Sequence, residues 1–390
     1  MTKLSFLILL LFFVSISLLI QTALGEEHSS GNPVAVGAPP EEGGLPPGWF
    51  PYQKGPIRVR SQFPLTLPFL AFLPDEQMFL PEGGLLVETT LSFSNTFART
   101  FDLESGRTKG ERTPFTEADF DRVIADNPGK DQFFLDLETS RLAFLFTYGL
   151  TKNLQINVEV PFLHIGGGVM DGLVQNFHDN LSLGQSGRTT VPRGDTTLAL
   201  FLDGNKLFLS GFSFSGLGDV VITARFPLVQ GKGLLPRMSG RVAAKLPTGD
   251  YRKLLGSGHA DYGIDLDTAF LYKTGCLHIN LGVVFPGKWK LVPGLDPKPI
   301  YSILFAWEIV PSGNKNVSYL IQDLAKTSPF RDSTDTELSE LSHEISFGMK
   351  IDIRKSIRLT LALTENHSGF NNSSDIGFHL GLLFFWGALL

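Results

Sequence analysis

The chain has 390 residues, a formal net charge of −6 and 33 Phe residues against 7 Tyr and 4 Trp. The acidic balance argues against nucleic-acid partners, and the single cysteine, Cys276, excludes an internal disulfide. No apolar run of about 18 residues follows the N-terminal one, which excludes further helical membrane spans.

Residues 1–25 have the pattern of a cleaved signal peptide. Lys3 precedes an almost unbroken apolar run, and Ala23 and Gly25 supply the small residues of a cleavage site. A single membrane-anchor helix is the alternative. Residues 26–55 are rich in Pro and Gly and lack periodicity, which predicts an exposed linker.

Residues 56–84 are apolar but contain several prolines, which cannot donate hydrogen bonds in a central strand. The segment is too apolar to lie free in water. We therefore predict that it packs against or inside the strands that follow, as a partial plug or a periplasmic closure. A mobile tail is the alternative.

Three strands with a period of two come next, at residues 85–97, 133–148 and 154–162. In the third, Gln155, Asn157 and Glu159 alternate with apolar residues and are predicted to point inward. The first two strands are joined by a long charged loop at residues 99–132, in which Thr116 caps a short helix ending at residue 124. Long loops between membrane strands are typical of the extracellular side.

Residues 166–195 interrupt the strand pattern. Flanking glycines and an amphipathic stretch at residues 169–181 predict a structured insertion with a short helix at the rim of the fold. Residues 196–211 form either a further strand pair or an irregular return.

From residue 219 the alternation is regular, and its clearest example is residues 343–353. Nine strands are predicted at residues 219–228, 238–246, 261–272, 276–285, 299–309, 316–324, 343–353, 357–364 and 375–386. With the first three, this gives an all-β fold, a porin-like, up-and-down antiparallel transmembrane β-barrel of about 12 strands in residues 85–390. Such a barrel must close, because lipid cannot satisfy an open strand edge.

Several short motifs, in order along the chain, carry a resemblance. They are GGGVMDGLVQNFH at residues 166–178, GLGD at 216–219, KLPTGD at 245–250, LLGSG at 254–258, Asp261, and CLHINLGVVFPG at 276–287. With these motifs the chain resembles, over residues 56–386, an uncharacterised family of Gram-negative outer-membrane barrels known only as a domain of unknown function. KLPTGD is also similar to a turn in outer-membrane barrels thought to take up aromatic compounds. The resemblance implies a fold and a location, and brings no catalytic residues.

Charged residues on the polar faces of three neighbouring strands are the candidates for lining the barrel interior, since a charge that faces lipid costs about 2–4 kcal/mol near the midplane. These lumen candidates are Arg225, Arg241, Lys245, Asp261, Asp265 and Asp267. Opposite charges on adjacent strands are expected to pair across the interior. Two interpretations stay open: a polar channel lining that selects solutes, or a salt-bridged interior that fills a narrow barrel.

Three loop residues are further candidates: Asp171, His178 and Asp250. His178, with Asp171, Asp179 and Ser182 or Ser186, has the residue types of a hydrolase, but no GxSxG motif accompanies them. The alternative is a helix cap or loop brace. Asp250 with Asp261 is a candidate Ca²⁺ or ligand loop, against the simpler interpretation of a turn. No metal spacing or cofactor motif is present, so no metal, cofactor or enzymatic activity is predicted.

The leading hypothesis is a passive pore or uptake channel for a small solute, in the outer membrane of a Gram-negative cell. Its partners would be the lipid bilayer and the barrel-assembly machinery. The gate would be the segment 56–84 or the insertion 166–195. A structural or ligand-binding barrel with a filled lumen is the second hypothesis, and a membrane hydrolase is the third.

Overall fold

The computed structural model describes residues 55–75, 79–105, 107, 111–180, 184–185, 187–231, 235–272, 275–311, 316–354, 356–367 and 372–386. The predicted signal peptide, and the linker up to residue 54, lie outside the described residues. So do Ser182 and Ser186, and so does the side chain of His178.

The described part of the chain contains fifteen strands. They are β1 (Leu85–Arg99), β2 (Gln132–Thr151), β3 (Leu154–Gly166), β4 (Thr197–Leu202), β5 (Asn205–Ser210), β6 (Phe214–Leu217), β7 (Val220–Val229), β8 (Arg237–Leu246), β9 (Asp261–Tyr272), β10 (Gly275–Phe285), β11 (Ile300–Ile309), β12 (Val317–Lys326), β13 (Ser342–Arg354), β14 (Ile357–Asn366) and β15 (Ile376–Trp386). The helices are α1 (Glu117–Asp126), α2 (Met170–Asn180) and α3 (Thr336–Ser339). None of these described helices is long and apolar enough to cross a membrane.

Twelve of these strands close into an antiparallel barrel. β1 pairs with β2 on one side and with the last strand, β15, on the other, so no edge is left open there. The order around the wall is β1, β2, β3, β7 and then β8 to β15 in sequence, each pairing with the next. The predicted twelve-stranded barrel is confirmed.

The two ends of the barrel differ. Only two residues separate β2 from β3, β9 from β10 and β13 from β14, and β1 begins at the same end, here called the short-turn end. The opposite, long-loop end carries α1, α2, the β4–β5 hairpin and the longer connections. Of the two alternatives left open for residues 196–211, the structure shows the strand pair, and β4 of this hairpin pairs with residues 132–136 at the start of β2.

The wall alternates as a membrane barrel requires. Apolar side chains such as Ile264 and Trp307 point outward and keep 55% and 54% of their surface exposed. The neighbouring positions carry buried polar residues, among them the predicted inward-facing Gln155, Asn157 and Glu159. An apolar exterior over a polar interior is the arrangement of a transmembrane barrel.

Residues 55–75 and 79–84, here called the lumen segment, run through the inside of this wall. Near the short-turn end, the Gly55 amide donates to Glu308 on β11. The chain then rises, and the Leu70 amide donates to Asp261, the first residue of β9, at the long-loop end. It returns so that the Leu80 amide donates to Gln155 at the start of β3. The lumen segment therefore passes up the barrel and back before β1 begins.

Local sequence accounts for the helix in the first long loop. Thr116 accepts a hydrogen bond from the Asp119 amide, and the Asp119 carboxylate accepts from the Thr116 amide, which together make a capping box. α1 then continues to Asp126, two residues beyond the predicted end. Phe120 anchors it in an apolar cluster with Phe115 and Phe134.

Candidate functional site: the barrel lumen

The six lumen candidates lie on the inner face of β7, β8 and β9, and none exposes more than 8% of its surface. Strand pairing aligns them: Arg241 lies opposite Arg225 on one side and opposite Asp265 on the other. Lys245 lies opposite Asp261. The period of two in the sequence therefore put all six on one face.

Opposite charges pair across these strands. Arg241 Nη2 lies 2.7 Å from Asp265 Oδ1, and its Nε lies 2.9 Å from Asp267 Oδ2. Lys245 Nζ lies 2.6 Å from Asp219 and 3.4 Å from Asp261. Breaking a buried pair of this kind by removing one partner costs about 3–5 kcal/mol, since the other charge stays buried.

The lumen segment supplies charges that sequence reasoning did not assign to the lumen. Asp75 lies 3.4 Å from Arg225 Nη1 and also pairs with Arg58 of the same segment. Arg58 reaches the wall as well, with its Nη1 2.7 Å from Glu88 on β1. The one available signal was the position of Arg58 and Asp75 in an otherwise apolar stretch that cannot leave charges unpaired.

The backbone of the lumen segment is bound by polar side chains of the wall. Gln322 on β12 accepts from the Ile57 amide at 2.9 Å and donates to its carbonyl at 3.2 Å. Lys350 on β13 donates to the Gly55 carbonyl at 2.5 Å. Arg241 donates to the Leu73 carbonyl at 2.5 Å. These contacts satisfy backbone groups of a segment that has no strand partner of its own.

At the long-loop end the tip of the lumen segment enters an apolar cluster. Phe69 packs edge-on against Trp289 and Phe330, with ring centroids 6.2 Å and 6.3 Å apart. Leu65 and Leu70 belong to the same buried cluster, which the β4–β5 hairpin and the long loops enclose. The tip is therefore held by apolar packing together with the Leu70–Asp261 hydrogen bond, and the two legs by polar contacts together with smaller apolar clusters around Ile57 and Leu80.

Little space is left between the lumen segment and the wall. A cavity of about 20 Å³, lined by residues that include Phe72, Asp75, Asn157 and Arg241, lies between β3, β7, β8 and the segment. That volume is close to the minimum for one water molecule. With the segment in this position, this cavity between the described residues is too small for a solute larger than water.

Two of the three loop candidates, Asp171 and Asp250, make hydrogen bonds at the long-loop end. The buried Asp171 carboxylate accepts from Asn95 Nδ2 and Arg188 Nη1 at 3.0 Å each, and from the Gly194 amide at 2.7 Å. Asp250 caps the short 3₁₀ turn Tyr251–Lys253 by accepting from the Arg252 amide.

Asp250 and Asp261 do not form a shared site, because Asp261 binds Lys245 and the amides of Leu70 and Gly287. In the part of the chain that the structure describes, no group of three or more His, Cys, Asp and Glu is arranged to hold a metal ion.

The insertion at residues 166–195 lies against the outside of the wall. Asn95 of β1 is an outward position, and Glu138 lies opposite it on β2, so Glu138 belongs to the same outer face. The Glu138 carboxylate accepts a hydrogen bond from the amide of Met170, the first residue of α2. Val174 of α2 packs on Leu363 and Ile376, which belong to outward positions of β14 and β15. In the described residues, α2 therefore lies on the outer face and not in the lumen, and these contacts give no support to gating by this insertion.

The chain matches one protein family and is similar to several solved structures. A family model described as "Protein of unknown function (DUF3187)" matches residues 49–386, and no curated protein matches the chain. Among solved structures, an outer-membrane channel from Pseudomonas putida F1 is 12% identical with a TM-score of 0.48, over 81% of this chain and 100% of that one. The P. putida toluene transporter TodX is 10% identical with a TM-score of 0.36, over 78% and 90%. The family match spans the lumen segment and all fifteen strands.

Proposed function

The chain belongs to the DUF3187 family of proteins of unknown function, and we propose that it is an outer-membrane channel that its own lumen segment closes. Residues 1–25 would direct export, the barrel-assembly machinery would insert the barrel, and the lipid bilayer would surround the apolar exterior. A small solute would pass by diffusion when the lumen segment leaves its present position. No catalytic step is part of this proposal.

The observation that carries the proposal is the chemistry of the contact between the lumen segment and the wall. Its two legs are bound by Glu308, Gln322, Lys350, Arg241 and Asp261, which are discrete polar groups on separate strands. Water can replace such hydrogen bonds at a modest net cost of about 0.5–1.5 kcal/mol each. Because the wall is polar where it contacts the lumen segment, water can hydrate the wall when the segment leaves.

A barrel with a permanently filled lumen is the second candidate. The ion pairs of Arg241 with Asp265 and Asp267, and the cavity of about 20 Å³, favour it. The two candidates differ in whether the lumen segment can move while the barrel stays folded. That difference can be measured directly.

A reversible crosslink between the lumen segment and the wall tests the proposal. A Cβ atom at Gly348 on β13 would overlap Ile57 Cδ1, so cysteines at these two positions are close enough to join. We would combine Ile57→Cys and Gly348→Cys with Cys276→Ala, so that no other thiol remains. Conductance in planar bilayers is then compared between the oxidised and the reduced form of the same protein, and with a deletion of residues 26–84.

The proposal predicts silence from the oxidised form, openings from the reduced form and the largest conductance from the deletion. Equal conductance in the oxidised and reduced forms would refute gating by the lumen segment. Silence from both the oxidised and the reduced form, with the barrel verified by circular dichroism and heat-modifiable gel migration, would establish the filled barrel instead. Conductance from the deletion would then identify the lumen segment as the filling, and silence from the deletion as well would identify the side chains of the wall.

A further inference from the structure

A cleft lies at the long-loop end, outside the apolar cluster that holds the tip of the lumen segment. It has a volume of about 520 Å³, within the range of small-molecule sites. It lies between the turn of the β4–β5 hairpin and the loops at residues 129–131, 294–298 and 329–334. Phe201, Leu295 and Phe330 give it an apolar floor.

The rim of this cleft is predominantly acidic. It carries the carboxylates of Asp131, Asp203, Asp296 and Asp332, against the ammonium groups of Lys130 and Lys298, for a net charge of −2 (two positive, four negative). The floor is thus apolar and its surroundings negative. An apolar floor contributes affinity for a ring or chain, and the rim selects the sign of the charge that accompanies it.

Not all of these carboxylates are available to a ligand. The Asp131 carboxylate is occupied by the Asp203 amide at 3.0 Å, Ser333 Oγ at 2.7 Å and the Thr334 amide at 3.1 Å, so it fastens the loops to one another. Asp203, Asp296 and Asp332 instead stand at the solvent-facing edge. Asp296 and Asp332 are each 75% exposed at the side chain.

Lys298 does not cancel this negative charge. Its Nζ lies 2.8 Å from Asp332 and 3.8 Å from Asp296, so one cation is shared by two anions. The hydrogen bond from Lys298 to Asp332 raises the pKa of the ammonium group, which therefore stays protonated at neutral pH. The trio keeps a net charge of −1, and Asp203 adds a second negative charge across the cleft.

We propose that this cleft binds a small amphipathic cation, with its apolar ring or chain on the floor and its ammonium group between Asp203 and Asp296. Phe330 lies in both the cleft floor and the cluster around Phe69, so an occupant would contact a residue that holds the tip of the lumen segment. The cleft would also lie at the entrance of the proposed channel, and that role rests on the proposed function. Binding in the cleft does not, since it requires no movement of the lumen segment.

Three probes with one apolar body and different charges test the site. Binding of 2-phenylethylammonium, 2-phenylethanol and phenylacetate to the full chain in detergent would be measured by calorimetry. Coulomb attraction from two net charges at the rim predicts about ten-fold tighter binding of the ammonium than of the carboxylate, with the alcohol between. The preference should shrink in about 1 M salt, where the Debye length falls to about 3 Å.

Two variants locate the site. Asp203 has a φ of 48°, and Asn tolerates this left-handed conformation, so Asp203→Asn removes charge without backbone strain. Asp203→Asn and Asp296→Asn should each weaken ammonium binding about three- to five-fold and leave the alcohol unchanged. Asp126→Asn, an exposed charge at the end of α1, is the matched control and should change nothing.

Equal affinity for the three probes, or tighter binding of phenylacetate, would overturn the inference. Ammonium binding that neither variant weakens would place the cation elsewhere and also overturn it. Binding as predicted in a protein whose reduced crosslink variant stays silent would leave this site standing and refute the channel alone. Conductance without ammonium binding would refute this site alone.

Discussion

Gly348, on the inner face of β13, leaves the space that Ile57 of the lumen segment occupies. A Cβ atom at this position would overlap Ile57 Cδ1, and it would also lie 2.9 Å from the Leu361 carbonyl oxygen and 3.2 Å from the Cβ of Ala362, both on β14. The overlap with Ile57 is the closest of these contacts and involves the end of a flexible side chain, whereas the contacts on β14 involve its backbone and a short side chain. Gly348→Ala should therefore push the Ile57 side chain, and with it the lumen segment, away from β13.

The magnitude follows from the cost of overpacking, about 1–3 kcal/mol for an added carbon in a well-packed site. If the lumen segment carries this cost, the ratio of displaced to docked molecules rises about 5- to 150-fold. Trypsin should then cleave after Arg58 and Arg60 faster by the same factor, since cleavage of a transiently opened segment follows its open population. The N-terminal fragment, identified by mass spectrometry, distinguishes these cuts from cuts in the loops.

A double-mutant cycle isolates the contact. Ile57→Ala removes the atoms that clash, so Gly348→Ala should add little to cleavage in that background. Gly184→Ala, where an added Cβ meets nothing within 4 Å, is the control and should leave the rate unchanged. Unchanged cleavage in Gly348→Ala, or an equal increase with and without the Ile57 side chain, would refute docking of the lumen segment on β13.

Four further predictions concern the wall and α1. Arg241→Ala should cost about 3–5 kcal/mol, because Asp265 would stay buried without its cation; adding Asp265→Asn should recover part of the loss in heat-modifiable gel migration. Ile264→Arg, on the exposed outer face of β9, should cost about 2–4 kcal/mol in urea-unfolding titrations in lipid vesicles, and a cost near zero would contradict the membrane orientation. Thr116→Ala should lose about 0.5–2 kcal/mol of local stability through the capping box, read as faster amide exchange in α1 alone. Burial raises the pKa of Asp119, but hydrogen bonds from Thr116 and nearby arginine charges outweigh it and lower the pKa. Its contribution to α1 should thus be complete above about pH 4 and fade as the pH falls further, and amide-exchange protection that fades between pH 8 and 5 would contradict this.

The alternation of residues along each strand was sufficient to predict the barrel and its two faces. A strand of a membrane barrel faces lipid on one side and the interior on the other. Apolar and polar residues therefore alternate along it, and the polarity of each residue indicates its face. Gln155, Asn157 and Glu159 were assigned inward on this basis and are buried there. The six charged candidates on β7 to β9 share the inner face for the same reason.

The sequence did not indicate which groups the lumen charges would bind. Arg225 and Arg241 lie on neighbouring strands, but Arg225 pairs with Asp75 from the lumen segment and Arg241 pairs with Asp265 from β9. Register and side-chain reach decide between such partners, and neither is encoded in a period of two. The insertion at residues 166–195 is a second example. The pattern of an amphipathic helix identifies its apolar face, but it does not indicate which surface that face packs against.

The path of the lumen segment was decided by tertiary structure alone. Its prolines and lack of periodicity excluded a strand, and its apolar composition excluded free solution. Where it lies depends on hydrogen bonds to residues far along the chain: Ile57 and Gln322 are 265 residues apart, and Gly55 and Lys350 are 295 apart. The sequence by itself determined the wall, since each strand's pattern is local. Only the closed barrel determined what fills it, since the groups that bind the lumen segment come from separate strands and meet only after closure.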